Sequence, residues 1–505
     1  MNKRRKVQHR IIEWVVLFII IFSIPSFAVE GSMGYEAGIS VADRMLSDTY
    51  NYREVTFVTG KPVVLDGTVV IKKTLKAGFE NGTYTYKLSN VEQDATLTRV
   101  LLYETVVSTK VNGQIARSTK FAKLPTEVLK VGGSTYTLSS STFTRSNLTD
   151  PQPSIGYHAG EYSEKKVYKV GTGTDVPTVT VTSSGRVFAY DQYWSNTQTQ
   201  KVKLMIMYAK KGGTSWGGTA EVTVSGSSRQ RMKYSENEPN AISFDGGYIR
   251  TTWDESVLDY SASFPEFDKT GNPTDHMISY KNKLELKTEP INERLMVPDI
   301  RHLKGHPSEK PIHILYGLEV LPGDGSDFNP EKYMTRAEFV SEAVKVFKKI
   351  PDDPNAKTAV TTVKKNVIAE LPFIDLKETD PFIDDIIDAS NRKIVIGTGM
   401  AYFRPDAYIT RAEVVTIAIR ALGLGNLAAY PYAVSPFADN DKIPSFARNA
   451  ATVCAEVGVL EPDLDGNFRP NDHMTEGEAA EFLYRIINYM GDDLVTDYRE
   501  NLINY

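Results

Sequence analysis

Two different hydrophobic patterns divide the chain. From about residue 52 to residue 286, apolar and polar side chains alternate, as in Tyr84, Tyr86 and Leu88 with polar residues between them. Alternation with a period of two is typical of β-strands. Asp-Gly, Asn-Gly and Gly-Gly pairs recur along the same stretch and are typical of tight turns. This part therefore predicts many short antiparallel strands in an all-β, sandwich-like region.

A Pro-rich break, Asp-Pro-Gln-Pro at residues 150–153, interrupts the β pattern. We predict two β domains on either side of it, at 52–149 and 150–290. One larger β domain is the alternative. A short polar connector at 287–298 then leads into a region with a different periodicity.

Beyond the connector, apolar residues recur at helical spacing in three separate runs. Each run follows a threonine with a glutamate three residues later, and a Phe-x-Pro sequence ends five residues before that threonine. Threonine at the N-cap and glutamate at N3 form a capping box, which satisfies backbone N–H groups that the first turn leaves unpaired. Each repeat therefore predicts a helix, a glycine-containing turn, an extended Phe-x-Pro segment and a second, capped helix. The capping threonines are Thr335, Thr410 and Thr475.

The residue after each capping threonine is harder to explain from helix physics. Arg336 and Arg411 stand at N1, where the helix dipole opposes a cation by roughly 0.3–1 kcal/mol. The third copy has Glu476 at this position, so the fold does not require arginine there. Two explanations fit, a bound anion or a carboxylate from elsewhere in the protein. The sequence favours the bound anion.

These spaced elements, repeated three times in order, resemble the S-layer homology family over about residues 297–490. The resemblance implies a mostly α-helical, three-pronged pseudo-trimer that holds an exported protein on the cell wall without a covalent bond. It implies a secondary cell-wall polysaccharide as ligand, often pyruvylated, with other S-layer subunits as further partners. A ketal carboxylate suits arginine, because the guanidinium group can donate two parallel hydrogen bonds to it. The implied segments are repeats at 297–350, 371–425 and 433–490, an insertion at 351–370 and a tail at 491–505.

Carried over position by position, the resemblance assigns eight residues to polysaccharide binding. They are Arg336, Arg411, Asp299, Asp375, Asp439, Gly323, Gly397 and Gly399. Helix capping is the alternative role for the aspartates, and a turn with positive φ is the alternative for the glycines. The family's tryptophan is replaced by Pro307, Phe382 and Phe446, and the third arginine is missing. We therefore predict two competent grooves at most, with the third repeat mainly closing the fold.

The formal net charge of -5 hides an asymmetry between the two parts of the chain. Residues 299–505 contain 22 Lys and Arg against 33 Asp and Glu, a net of -11, while the remainder contains 36 against 30, a net of +6. No concentrated basic patch indicates nucleic-acid binding. The negative helical part opposes an acidic polymer, so local arginine geometry has to prevail, and added salt should weaken binding.

The N-terminus reads as an export signal at residues 1–28, followed by an N-terminal segment at 29–51. Four basic residues precede an apolar core that is short for a membrane span, and small residues stand where a signal peptidase cleaves. An uncleaved anchor is the alternative. The chain has a single cysteine, Cys454, in an apolar stretch that indicates a buried side chain. Export without disulfides fits the wall or S-layer of a Gram-positive-type bacterium, with no membrane span after cleavage.

The β region carries no catalytic signature, and no motif indicates a metal or another cofactor. We therefore expect a non-enzymatic surface protein that displays its β domains. The alternative is a wall-anchored carbohydrate-binding protein or glycoside hydrolase with its site in the β region, and a third possibility is an adhesin for a protein partner. One aromatic cluster could stack on sugars, although core packing is the better explanation. Its members are Tyr190, Tyr193, Trp194, Trp216 and Trp253.

Overall fold

The computed structural model describes residues 38–42, 48–235, 247–350, 356–358, 371–398, 401–427 and 434–503 of the 505-residue chain. The first part is all β. Its strands are β1 (Gly38–Ala42), β2 (Thr49–Thr56), β3 (Val63–Lys76), β4 (Phe79–Asn90), β5 (Ala95–Thr109), β6 (Ile115–Phe121), β7 (Thr126–Val131), β8 (Ser134–Pro151), β9 (Ile155–Val170), β10 (Thr178–Gln192), β11 (Asn196–Ala209), β12 (Ser215–Ser235), β13 (Gly247–Phe267), β14 (Pro273–Lys287) and β15 (Ile291–Arg294).

The second part is mostly helical. Its helices are α1 (Glu309–Gly317), α2 (Arg336–Val346), α3 (Ile383–Asn391), α4 (Arg411–Leu422), α5 (Ser445–Glu456), α6 (Glu476–Asn488) and α7 (Leu494–Ile503), with a π-helical segment (Tyr489–Asp493) between the last two and a short strand, β16 (Ala356–Thr358), after α2. Single 3-10 turns lie at Arg301–Leu303, Leu424–Asn426 and Asn440–Lys442. The predicted division into an all-β part and a helical part is confirmed.

The sixteen described strands form one sheet. Neighbours in the sheet follow the order β1 to β6 and then β8 to β14, with β7, β15 and β16 attached to the side of this path. The pairings are antiparallel except that of β16 with β3. The sheet curls so that its first strand meets its later strands, and the Ser256 hydroxyl donates to the Ser40 carbonyl oxygen at 2.7 Å. Apolar residues from β1 through β13 consequently share one core.

The sheet core also encloses a network of paired charges. Arg99 donates to both oxygens of Glu54, at 2.8 and 2.9 Å, and to Glu127 at 3.0 Å. Lys166 and the Tyr168 hydroxyl also donate to Glu127, at 3.2 and 3.0 Å. Burial by itself raises the pKa of Glu127, but Arg99 and Lys166 outweigh burial and lower that pKa to about 2. The network joins four strands that are distant in sequence.

The helical part is built from three helix pairs around a pseudo-threefold axis. The segments before the capped helices meet at this axis through a closed ring of backbone hydrogen bonds. Met334 N–H donates to the Met474 carbonyl at 2.9 Å, Met474 N–H to Ile409 at 3.0 Å and Ile409 N–H to Met334 at 3.1 Å. All three predicted capping boxes are present, at Thr335, Thr410 and Thr475. The repeat pattern therefore closes on itself, as the resemblance implies.

The β part and the helical part share a second hydrophobic core. Ile155, Tyr190 and Trp194 from the sheet are buried in the same cluster as the helices of all three repeats. The Trp194 indole N–H donates to the Val346 carbonyl at 2.8 Å, at the end of α2. From the other side, the Tyr498 hydroxyl of α7 donates to a carbonyl of β10 at 3.0 Å. These aromatic side chains of the sheet hold the two parts together instead of facing solvent.

Three segments of the structure show what lies at the expected seam, insertion and tail. β8 runs through residue 150 and pairs with β9, so the sheet has no break at the predicted β-domain seam. Within the expected insertion at 351–370, β16 pairs in parallel with β3. The expected tail at 491–505 contains the whole of α7. The predicted export signal lies outside the described residues. Among the residues that are described, no helix has the length and apolar character needed to cross a membrane.

Candidate functional site

The arginines at N1 face the capping glutamate of the following repeat. Arg336 lies 3.1 Å from Glu413, measured from Nη1 to Oε1, and its guanidinium carbon stands 5.2 Å from the centre of the Phe403 ring. The Arg336 side chain is buried, with only 6% of the residue exposed. Burial lowers its pKa, and Glu413 partly offsets this effect. The positive charge is thus compensated within the protein.

Arg411 repeats this geometry one repeat later. Its Nε donates to the Phe468 carbonyl at 2.9 Å, and its Nη1 donates to Glu478 at 3.0 Å. The guanidinium carbon stands 5.8 Å from the centre of the Phe468 ring. The main chain supports the same arrangement, because Arg336 N–H donates to Ala407 and Arg411 N–H donates to Asp472. Each N1 position is therefore a joint between consecutive repeats.

The third joint keeps the geometry and reverses the charge. Glu476 occupies the N1 position, its backbone N–H donates to the Lys332 carbonyl at 2.8 Å, and Lys332 Nζ lies 2.7 Å from its carboxylate. The same Nζ lies 3.0 Å from Glu338, the capping glutamate of the first repeat. The hydrogen bonds that Lys332 donates to these two glutamates raise its pKa. A lysine bridge replaces the direct arginine–glutamate pair.

These joints change the interpretation of Arg336 and Arg411. A carboxylate from the neighbouring repeat, the alternative considered in the sequence, accounts for both cations, so a bound anion is not required to explain them. Sequence reasoning could not separate the two explanations, because the partner glutamates belong to a different repeat. The loss of arginine in the third copy is explained as well, since Lys332 carries the positive charge there.

Two of the three aspartates hold the Phe-x-Pro segments. The Asp375 carboxylate accepts backbone N–H groups of Phe403 and Arg404, at 2.8 and 2.7 Å. Asp439 does the same for Phe468 and Arg469, at 2.8 and 2.9 Å. Both arginines have positive φ, 63° and 55°, a conformation that side chains other than glycine rarely adopt. The aspartates therefore stabilise an unusual backbone turn that presents an arginine.

Asp299 behaves differently from the other two aspartates. It lies on the surface and pairs with Arg301, with Nε to Oδ1 at 2.8 Å. Hydrogen bonds from the Arg301 side chain and backbone lower its pKa. In the first repeat the residue between Phe328 and Pro330 is Asn329 rather than arginine. The early aspartate is therefore not equivalent in all three repeats.

The predicted glycines also separate into different roles. Gly323 has a φ of 79° and lines a groove, and a Cβ atom added to it would meet nothing within 4 Å. At Gly397 a Cβ atom would come within 3.0 Å of the Phe373 ring and of the Tyr402 carbonyl, so this glycine permits close packing. Gly399 lies outside the described residues. Of the two predicted glycines that the structure describes, only Gly323 is placed where a ligand could approach it.

Among the described residues, two grooves on the surface of the helical part bear on the predicted site. The first, which we call the acidic groove, has a volume of about 280 Å³ and lies where the first and third repeats meet. It is defined by Gly323, Asp324, Lys332, Glu338, Glu342 and Glu476. The second, which we call the axial groove, has a volume of about 670 Å³ and is defined by His306, Tyr333, Arg469 and His473. Beside it, Tyr333, Tyr408 and His473 form an exposed aromatic triangle with ring centres 5.6 to 5.9 Å apart.

Arg404 and Arg469 are candidate functional residues that the sequence interpretation missed. Arg404 is exposed and has no ion pair within the part of the chain that the structure describes. It lies close enough to Arg336 to lower the pKa of that side chain. Arg469 is half-exposed and faces carboxylates of Asp463 and Asp472. The signal was available, because Phe-Arg-Pro occurs in the second and third repeats and not in the first.

The β part has its own concave surface. A groove of about 910 Å³ crosses β8 to β12 and is lined by both basic and acidic side chains, among them Arg145, Glu161, Arg186, Lys201 and Glu221. The aromatic residues named in the sequence do not line this groove. Tyr190 and Trp194 are buried, and Trp216 stacks on Tyr208 with ring centres 5.5 Å apart.

Comparison with known proteins identifies the helical part. Residues 299–340, 372–415 and 436–480 match the S-layer homology domain family. The chain therefore carries three S-layer homology domains, and the predicted resemblance is confirmed. Domains of this family attach surface proteins to cell-wall polysaccharide, which makes the chain a cell-surface protein.

Similar proteins include two polysaccharide-degrading enzymes and a surface layer protein. An amylopullulanase from Thermoanaerobacterium thermosulfurigenes is 26% identical over 194 residues, which are 38% of this chain and 10% of that protein. An exoglucanase from Acetivibrio thermocellus is 25% identical over 224 residues, 44% of this chain and 19% of that protein. A surface layer protein from Brevibacillus choshinensis is 33% identical over 116 residues, 23% of this chain and 9% of that protein. The chain thus spans a fifth or less of each relative, and the enzymes match only in the S-layer homology region.

Proposed function

We propose that this protein is exported by a Gram-positive-type bacterium and held non-covalently on a secondary cell-wall polysaccharide by its three S-layer homology domains. The observation that carries the proposal is the assembly of three matched domains into one closed unit with open grooves at its surface. The β part is then displayed outward, either as a lattice subunit or as an accessory surface protein. We expect it to be non-catalytic.

For the ligand we propose an acidic sugar unit, such as a pyruvate ketal, bound at the joint between the first and second repeats. Arg336 and Arg404 stand together there, and Glu413 is the carboxylate that balances them. The other carboxylate at this joint, Asp375, already accepts hydrogen bonds from two backbone N–H groups. Because the Arg336 guanidinium already contacts Glu413, the exposed Arg404 is the group free to donate two hydrogen bonds to a carboxylate.

The joint between the second and third repeats is less favourable for an anion. Arg411 and Arg469 are also close together, but the negative charges around them outnumber them. Those charges are Glu478, Asp463 and Asp472. We therefore propose that Arg411 acts mainly as a joint, and that the first joint holds the acidic sugar.

A wall-binding measurement with the full chain tests this proposal. Native sacculi should retain the protein, whereas sacculi stripped of secondary polymer should not, and retention should fall as salt rises. Replacing Arg404→Gln should weaken binding roughly 10-fold to 100-fold, because one charge-assisted hydrogen bond contributes roughly 1.5–3 kcal/mol. Arg485→Gln, which removes an exposed arginine paired with Glu461, is the matched control and should bind normally.

Two outcomes would contradict the proposal at different levels. Equal binding to native and stripped sacculi would reject the polysaccharide as ligand. Normal binding by the Arg404 variant, together with loss of binding by Arg411→Gln, would move the acidic sugar to the second joint.

The second candidate function is carbohydrate binding or glycoside hydrolysis in the β part. The observation in its favour is the groove of about 910 Å³, in which Glu161 and Glu221 are both lining residues. Two carboxylates across a cleft are the chemistry that glycoside hydrolysis needs. Release of reducing sugar from purified wall polymer, abolished by Glu161→Gln, would establish this activity. Its absence with wall polymer that the protein does bind would support the display function.

A further inference from the structure

Glu342 occupies a position where the other repeats have apolar side chains. It stands seven residues after the capping threonine of α2, and the equivalent residues are Ile417 in α4 and Phe482 in α6. Those two are buried, with 2% and 4% of their surface exposed, and Glu342 is buried too, at 6%. The fold therefore accepts an apolar residue here in two repeats, and the carboxyl group of the first is not needed for packing.

The Glu342 carboxyl group is also incompletely satisfied. Its Oε2 atom is buried and has no hydrogen-bond partner within the described part of the chain. Leaving a buried polar atom unpaired costs roughly 1–3 kcal/mol, and native proteins keep few such atoms without a reason. Glu342 is one of the residues that line the acidic groove. A ligand that enters this groove would meet an acceptor prepared for it.

The charge of the acidic groove indicates what kind of ligand fits. Carboxyl groups dominate its lining, and the cation among its lining residues, Lys332, already bridges Glu338 and Glu476. An anionic sugar would be repelled, whereas a compact cation would be attracted and could donate several hydrogen bonds. The groove volume of about 280 Å³ is far below that of the β groove, so it suits a single sugar unit. Phe328 and Tyr316, with ring centres 6.0 Å apart, supply an apolar wall for the ring.

We propose that the acidic groove binds a sugar unit with a free ammonium group, a hexosamine without its acetyl group, and that Glu342 Oε2 accepts a hydrogen bond from that ammonium. This inference rests on the proposed attachment to wall polysaccharide and adds a second subsite to it. The acidic unit and the amino sugar unit would then be recognised at different joints of the same pseudo-trimer.

Proton linkage follows from the surroundings of Glu342. Burial raises its pKa well above the ordinary value, and Glu476 raises it further, while Lys345 and Lys332 lower it. Burial therefore favours the protonated carboxyl group in the free protein, and an ammonium ligand would favour its ionised form. Other charged or titratable groups also face it or line the same groove. They are Glu338 on α2, Tyr316 on α1, and Asp324 and Asp327 in the turn before Phe328.

Calorimetric titration of the full chain with three matched sugars tests the proposal. Glucosamine, N-acetylglucosamine and glucose differ only in the group at one carbon. At about pH 6.5 glucosamine should bind at least 10-fold more tightly than the other two. Repeating the titration in two buffers of different ionisation enthalpy should show a net release of protons when glucosamine binds.

Variants separate recognition from folding. Glu342→Gln and Glu342→Leu should both lose glucosamine binding and proton release, and the Leu variant should unfold at a higher temperature than the wild type because an unpaired polar atom is removed. Glu461→Gln, outside both grooves, should bind glucosamine normally. Equal binding of all three sugars, or unchanged binding by the Gln variant, would overturn the proposal. Equal binding of glucosamine and an Nα-acetyl-lysine amide would also overturn it, since the groove would then select an amine and not a sugar.

Failure of the amino sugar subsite can be distinguished from failure of the proposed wall attachment. If the protein binds sacculi through Arg404 and glucosamine does not bind, the inference fails and the proposed function stands. If glucosamine binds and sacculi do not, the amino sugar subsite stands without the proposed anchoring role.

Discussion

At the scale of single residues, buried carboxyl groups in this protein adopt opposite states. Glu127 is surrounded by Arg99, Lys166 and a tyrosine hydroxyl and is held ionised, with its pKa lowered to about 2. Glu342 is equally enclosed, but its Oε2 lacks a partner and a second glutamate lies near, so its pKa is raised. The difference lies in the neighbours and not in the depth of burial. Glu127 stabilises the fold, whereas Glu342 is available to a ligand.

The ionised state of Glu127 makes stability depend on acidity. Because its pKa in the folded protein is lowered from 4.5 to about 2, its contribution is present above about pH 4.5 and is lost as pH falls toward 2. Glu127→Gln should destabilise the protein by roughly 3–5 kcal/mol at pH 7, since Arg99 and Lys166 lose a buried partner. Urea unfolding at several pH values measures this effect.

The gap in stability between wild type and the Glu127 variant should narrow as the solution is acidified from pH 4.5 to pH 2. Glu104→Gln, which removes an exposed partner of Lys120, should change stability by less than about 0.5 kcal/mol at any pH. A constant gap across this range would show that Glu127 is not ionised by its neighbours.

At the scale of elements, local patterns could be predicted from the sequence and partnerships could not. The capping boxes and the Phe-x-Pro segments depend on residues a few positions apart, so spacing alone revealed them. The Arg336–Glu413 joint connects different repeats, and its partner becomes visible only when the pseudo-trimer closes. The network of Arg99 joins strands β2, β5, β7 and β9. The register of these strands depends on how they pair and cannot be predicted from the sequence of any one of them. In the sequence, the charged residues of this network could not be distinguished from ordinary polar positions on the outward faces of the strands.

The comparison of the three joints predicts that the third can be given the arginine–glutamate pair of the other two. Glu476→Arg would place a guanidinium group against Lys332, whose Nζ now lies 2.7 Å from the glutamate, and should destabilise the protein. Adding Lys332→Ala should recover stability, because the new guanidinium group could then reach Glu338 as Arg336 reaches Glu413. The two changes should be non-additive by roughly 1–3 kcal/mol, the range for residues in contact. A thermal or urea double-mutant cycle measures this value.

The same cycle on Arg485 and Glu461, an exposed pair, should give a coupling below about 1 kcal/mol. If the effects of the two changes at the third joint are simply additive, Lys332 does not bridge the repeats. The lysine bridge would then not explain why the third repeat has glutamate where the others have arginine.

At the scale of the whole molecule, the helical part is not an independent module appended to the sheet. Ile155, Tyr190 and Trp194 of the sheet complete the core under the three repeats, and Arg229 pairs with Asp492 at 2.9 Å across the same boundary. The helical part and the β part are therefore joined by a packed surface and not only by the connector at 287–298. A force applied to one part would be transmitted directly to the other, as an anchor for a surface protein requires.

This shared core predicts that the two parts unfold together. Trp194→Ala removes a fully buried indole and its hydrogen bond to Val346, and should destabilise the protein by roughly 3–5 kcal/mol. Because the indole contacts both parts, strand and helix signals in circular dichroism should shift to lower temperature by the same amount. Val111→Ala, at a fully exposed position, should leave both signals unchanged. A variant in which only the helical signal moves would show that the sheet is stable without the repeats. In that case, a fragment of residues 297–505 should also unfold at the same temperature as the full chain. If the core is shared, the fragment should unfold at a lower temperature and bind a hydrophobic dye.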